Sequence, residues 1–117
     1  FAPAAIDRAA RLGFGLTPVI FNWDYLAGWL QAYTAAAEPA GKGAVKPVVI
    51  ARANVDLRPE ALGDDRMAFA GNHDQIVEDA VKATASGVDE LFVDFYDETI
   101  SPEGRLKLAE AIKKAVS

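Results

Sequence analysis

"FAGNHDQIVEDAVKATASGVDELFVDFYDE", residues 69–98, is the stretch whose reading decides the fold. A Gly-Asn pair precedes a helical pattern, Gly87 closes it, and an apolar run then ends in acids. Asn72 is a strong N-cap residue type, and Gln75 stands three positions on, where its amide can reach back to the cap backbone. Asp74 complements the positive end of the helix dipole, and Gly71 permits a tight turn into the cap. The pattern predicts a helix over 73–86 with Ile76, Val77, Ala80, Val81 and Thr84 on its apolar face. His73 is left as a solvated first-turn residue. A phosphate cradle at this turn would want more glycines and a basic neighbour, so the turn reads as a helix cap and not as an anion site.

Outward from this stretch, helix and strand patterns alternate. Pro3 suits a first helical turn, Ile6, Ala9, Ala10 and Leu12 form a stripe, and Gly13 ends it. "LTPVIFN" (16–22) reads as a short buried strand. A second helix covers about 23–38, with Tyr25, Leu26, Trp29, Leu30 and Tyr33 at helical spacing. Its two tryptophans read as core, with an interface as the other option. "EPAGKGA" (38–44) is a breaker loop, and "KPVVIARANVDL" (46–57) is the second strand. Residues 58–71 read as an irregular, exposed connection, 87–96 as the third strand and 101–116 as the last helix. Lys107, Lys113, Lys114, Glu103 and Glu110 decorate that helix's exposed face.

The expected order is αβαβαβα. Strands separated by helices run parallel, because each crossover returns the chain in the same direction. Three parallel strands leave two open edges, and a complete (β/α)8 barrel takes about 250 residues. The fold class expected is therefore α/β: a partial (β/α)8 TIM-type barrel forming one segment over residues 1–117.

Composition narrows the function. The chain has 117 residues, 51% hydrophobic and 25% charged, which suffices for one core. A net charge of −5 with no basic cluster argues against duplex nucleic acid as a partner. The absence of cysteine excludes a disulfide scaffold and thiol catalysis, and a single histidine excludes sites needing two. No apolar run approaches the roughly 18 residues of a membrane span. These features point to the cytoplasm. The opening Phe1-Ala2-Pro3 leads straight into a helix pattern without an initiator Met, as expected of a piece of a longer chain.

In a barrel, alternate strand residues face inward and sites gather at the C-terminal strand ends. Val48, Ile50, Arg52 and Asn54 share one face of the second strand, and Phe92, Asp94 and Tyr96 share one face of the third. The reading places Arg52, Asn54, Asp94 and Tyr96 on a cofactor or substrate cavity. The structural alternative is a buried Arg–Asp pair that closes the barrel and carries no chemistry. Asn22, at the end of the first strand, is a weaker candidate. Asp89 and Glu90 precede the third strand whereas Asp97 and Glu98 follow it, so they read as solvated surface and no metal site is expected.

Three pieces, "FAPAAIDRAARLGFGLTPVIF", "VVIARANVDL" and "FAGNHDQIVEDAVKATASGVDELFVDF", together resemble the C-terminal part of the luciferase-like flavin-dependent oxidoreductases. The flavour is closest to the branch that uses the deazaflavin F420. The resemblance implies a TIM-type barrel running hydride-transfer or monooxygenase chemistry on F420 or FMN. It also implies a Gly-rich cofactor-phosphate turn just ahead of Phe1, with Ala2 in the adjoining helix start as a cofactor contact. Earlier strands would supply much of the flavin seat, so the isolated chain is expected to be inactive. Its expected partner is a second copy or the missing N-terminal barrel half. The other readings are a self-associating, non-catalytic half-barrel and a small α/β ligand-binding domain.

Overall fold

The computed structural model describes residues 3–15, 17–39, 41, 48–95 and 100–117. Two helices open the chain. Helix α1 (Pro3–Leu12) buries Ile6, Ala9 and Ala10, and Gly13 ends it with φ 76°. Leu12, expected on the stripe, is exposed. Helix α2 (Trp23–Ala37) begins at Asn22, whose side chain accepts the Tyr25 N–H at 2.7 Å. It buries Leu26, Trp29, Tyr33 and Ala37, and the Tyr33 hydroxyl donates to the Phe14 carbonyl at 2.8 Å, fastening α2 to the end of α1.

Strand β1 (Ile50–Leu57), strand β2 (Ala70–Gly71), helix α3 (His73–Ala85), strand β3 (Glu90–Phe95) and helix α4 (Pro102–Val116) follow. The sheet has the order β2-β1-β3 and both pairings are parallel. The fold is thus α/β, with four helices and a three-stranded parallel sheet among the described residues.

The expected αβαβαβα order is corrected in two places. Among the described residues 17–22 there is no strand, only a single parallel bridge from Val19 to Arg52, and Leu16 lies outside the described residues. Ile20 N–H donates to the Arg52 carbonyl at 2.9 Å, and Arg52 N–H to the Pro18 carbonyl at 2.8 Å. Pro18 has no N–H to extend the ladder, and Asn22 already turns into the α2 cap, so pairing stops there. The third strand of the sheet is instead β2, inside the connection expected to be irregular.

The two faces of the sheet differ. Val49, Ala51, Ala53 and Val55 are fully buried and join residues of all four helices in one core cluster. Alternate residues point the other way, as strand geometry requires. On that side Val48 is 65% exposed, Phe92 is 60% exposed and Arg52 is open to solvent. Layering on one face makes the chain elongated: its radius of gyration is 15.5 Å, against about 13 Å for a compact domain of this length.

Helix α3 also rotates relative to expectation. It buries Ile76, Ala80 and Ala83, and with them Asp79, whereas Val81 and Thr84 face solvent. A carboxylate occupies the apolar stripe because a cation reaches it from the preceding loop. No helix among the described residues is long and apolar enough to cross a membrane.

Candidate functional site

Arg52 and Asp94 lie on the open face of the sheet and form an ion pair, Arg52 Nη2 to Asp94 Oδ2. The strand register explains it. Asn54 faces Asp94 across the β1–β3 ladder and Arg52 faces Phe92, so Arg52 reaches Asp94 diagonally. In this chain the two side chains are 47% and 40% exposed. Asn54 is half-buried, and its Oδ1 is covered without a hydrogen-bond partner among the described residues. Three of the predicted site residues are therefore brought together. Tyr96 and Ala2 lie outside the described residues, as do Asp97 and Glu98. Asn22 is engaged as the α2 cap, which accounts for its side chain without a ligand.

A second feature sits where β1 and β2 end. Leu57, Arg58, Pro59, Asn72, His73 and Ile100 help line an open cleft of about 520 Å³. Ligands of parallel sheets commonly bind beyond the carboxyl ends of strands. Here the polar groups are largely engaged. Arg58 grips Asp56 through two contacts, at 3.0 and 2.9 Å. Asn72 Oδ1 accepts the Gln75 N–H at 3.0 Å, and Gln75 Oε1 accepts the Asn72 N–H at 3.1 Å, the reciprocal cap predicted. His73 differs from expectation: its ring is half-exposed, but Nε2 is covered and has no partner among the described residues.

The connection between β1 and β2 is ordered by side chains that sequence reading missed. Arg66 holds Asp79 in a bidentate pair, at 2.5 and 2.8 Å, and donates to the Ala70 carbonyl at 3.1 Å. The hydrogen bond to Asp79 raises the Arg66 guanidinium above its ordinary value, against the opposing effect of burial. Asp79 also accepts the Phe69 N–H at 2.8 Å. That bond helps hold Phe69 at φ 65°, a left-handed conformation uncommon for a bulky residue, with its ring fully buried. One signal was available: Asp79 stands three residues after Ile76 and four before Ala83, on the buried stripe, where a charge must be paired.

The open-face trio offers donors from Arg52 and acceptors from the Asp94 carboxylate. It contains neither a nucleophile with an adjacent base nor a pair of carboxylates. Its competence is binding and orientation. No group of three or more His, Asp or Glu able to hold a metal occurs among the described residues. Asp89 is exposed, as expected, and its carboxylate accepts the Val49 N–H at 2.9 Å, which seats the start of β1 beside β3. Comparison of the chain with known protein families and with curated proteins finds no match.

Proposed function

We propose that this chain is the C-terminal segment of a luciferase-like oxidoreductase barrel that uses F420 or FMN, and that it is inactive alone. The observation that carries the reading is the uncovered face of the sheet with its Arg52, Asn54 and Asp94 cluster. The helices all pack on the other side, as they do around a (β/α) barrel, and Arg52, Asn54 and Asp94 occupy the side that would line the lumen. Apart from the two-residue β2, which pairs with the end of β1, the Val19 segment bridges to β1 and β1 pairs with β3, all in parallel, as successive barrel strands would. The bound cofactor would supply hydride or oxygen chemistry. The chain's own residues would bind and orient the ring, with the Arg52 guanidinium held in place by Asp94.

The partner in this reading is the N-terminal part of the barrel. A second reading, in which two copies cover each other as a non-catalytic dimer, is favoured by the exposed Val48 and Phe92 on the same face. Both readings expect the isolated chain not to persist as a monomer. The test extends expression upstream of Phe1 through the reading frame, then titrates both proteins with FMN and with F420 while ring fluorescence is followed. The extended protein is expected to bind one of them at micromolar concentration or better, and the 117-residue chain weakly or not at all. Submicromolar binding by a monomer of the short chain, or an extended protein that binds neither, overturns the proposal. Sedimentation of the short chain at micromolar concentration tests the dimer, and a stable monomer there contradicts it.

A further inference from the structure

The cleft beyond the carboxyl ends of β1 and β2 lies apart from the Arg52, Asn54 and Asp94 cluster. Leu57, Pro59 and Ile100 give it an apolar lining. Of its polar residues, Arg58 holds Asp56 through two contacts and Asn72 is the helix cap. His73 is the exception. Neither ring nitrogen has a hydrogen-bond partner among the described residues. Nε2 is covered, and Nδ1 lies 3.8 Å from Asp74 Oδ1, beyond hydrogen-bond distance. The side chain is 44% exposed, and that exposure excludes Nε2 but not Nδ1. A molecule in the cleft reaches Nδ1 alone.

A neutral imidazole carries one proton, so one nitrogen is a donor and the other an acceptor. On Nε2 the proton would make a covered N–H with no acceptor, the rarer and costlier kind of orphan. On Nδ1 it meets solvent and the attraction of the nearby Asp74 carboxylate. Both effects place the proton on Nδ1. His73 thus offers the cleft a donor.

The surrounding charges select what that donor can take. Asp56 already matches the Arg58 charge, and the Asp74 carboxylate stands beside Nδ1. An anion meets repulsion from Asp74, and an ammonium group brings no acceptor. A neutral carbonyl or hydroxyl oxygen escapes both objections. We propose that the cleft binds a small neutral molecule, an oxygen acceptor on an apolar body, with His73 Nδ1–H as its donor. The apolar body lies against Leu57, Pro59 and Ile100, the usual division of labour in a small-molecule site. Every residue involved belongs to this chain, so the site requires neither an upstream barrel half nor a flavin.

The experiment uses the 117-residue chain, whose single histidine gives unambiguous ring signals. Long-range proton–nitrogen NMR at about pH 8, where an ordinary imidazole is neutral, shows which nitrogen is protonated. Nδ1–H is expected as the major tautomer, and Nε2–H overturns the proposal. Three probes then share one ring and differ in head group: cyclohexanone, cyclohexanecarboxylate and cyclohexylammonium. Saturation transfer to each probe reads binding. Cyclohexanone is expected to bind saturably, and the two ions about fivefold more weakly, the value of one neutral hydrogen bond. His73→Phe keeps a ring and removes the donor, while Asn72 and Gln75 still make the capping bonds. It is expected to weaken cyclohexanone about fivefold and to leave the ions unchanged. Equal binding of the three probes, or no saturable binding of cyclohexanone, overturns the site. Unchanged cyclohexanone affinity in His73→Phe overturns the role of His73.

Discussion

Two of the Arg–Asp pairs among the described residues stand in opposite situations. Arg66 and Asp79 have side chains only 16% and 3% exposed, and Asp79 takes a third hydrogen bond from the Phe69 backbone. Arg52 and Asp94 are 47% and 40% exposed and share a single contact. The same two residue types are a buried structural lock in one place and a solvent-exposed pair in the other. What separates them is whether the remaining donors and acceptors are already used. The raised value of Arg66 gives stability that is present below the guanidinium's unfolded value and is lost only in strongly alkaline solution. The lock therefore owes no pH dependence near neutrality to its arginine.

The largest expected effect breaks the lock. Asp79→Ala leaves the Arg66 charge without its counter-ion and the Phe69 N–H unpaired in a covered site and should cost about 3–5 kcal/mol, enough to unfold much of a marginal chain. Urea denaturation measures it, and a loss below about 1 kcal/mol would put the two pairs on the same footing. An intermediate effect is expected at the start of α3, the helix that carries Asp79. Asn72→Ala removes the cap and should cost about 1 kcal/mol by the same measurement. The smallest effect belongs to the open pair. In a cycle of Arg52→Ala, Asp94→Ala and the double variant, the coupling energy in the isolated chain should stay below about 1 kcal/mol and shrink with added salt. A coupling of several kcal/mol, insensitive to salt, would mean that something already covers this face.

Much of the lock's surroundings was legible in the sequence, and the lock itself was not. The Asn72–Gln75 cap and the Gly71 turn follow from local rules, since each partner lies within four residues of the other. The Arg52–Asp94 contact was also legible, because strand alternation and parallel order bring those residues to one face. Arg66–Asp79 joins a loop to a helix, and nothing local to Arg66 announces it. The same gap explains the missed β2. Ala70 and Gly71 carry no strand propensity, and they pair with β1 because Asp79 holds Phe69, next to them, in its unusual conformation. The bridge at Val19 shows the converse: a stretch with strand composition pairs at one residue when a proline and a helix cap flank it.

Two bonds in the connection share one spacing. Gln75 binds the Leu62 backbone through both ends of its amide, at 3.0 and 2.8 Å, across thirteen positions. Arg66 binds Asp79 across thirteen positions as well. Residues 62–66 therefore run alongside the first turns of α3 in step with 75–79, like teeth engaged on a rack. Connections between regular elements usually absorb inserted or deleted residues without harm. Here a residue gained or lost between 66 and 75 would shift the count for both contacts at once. The least regular part of the chain is thus the part whose length is least free to drift.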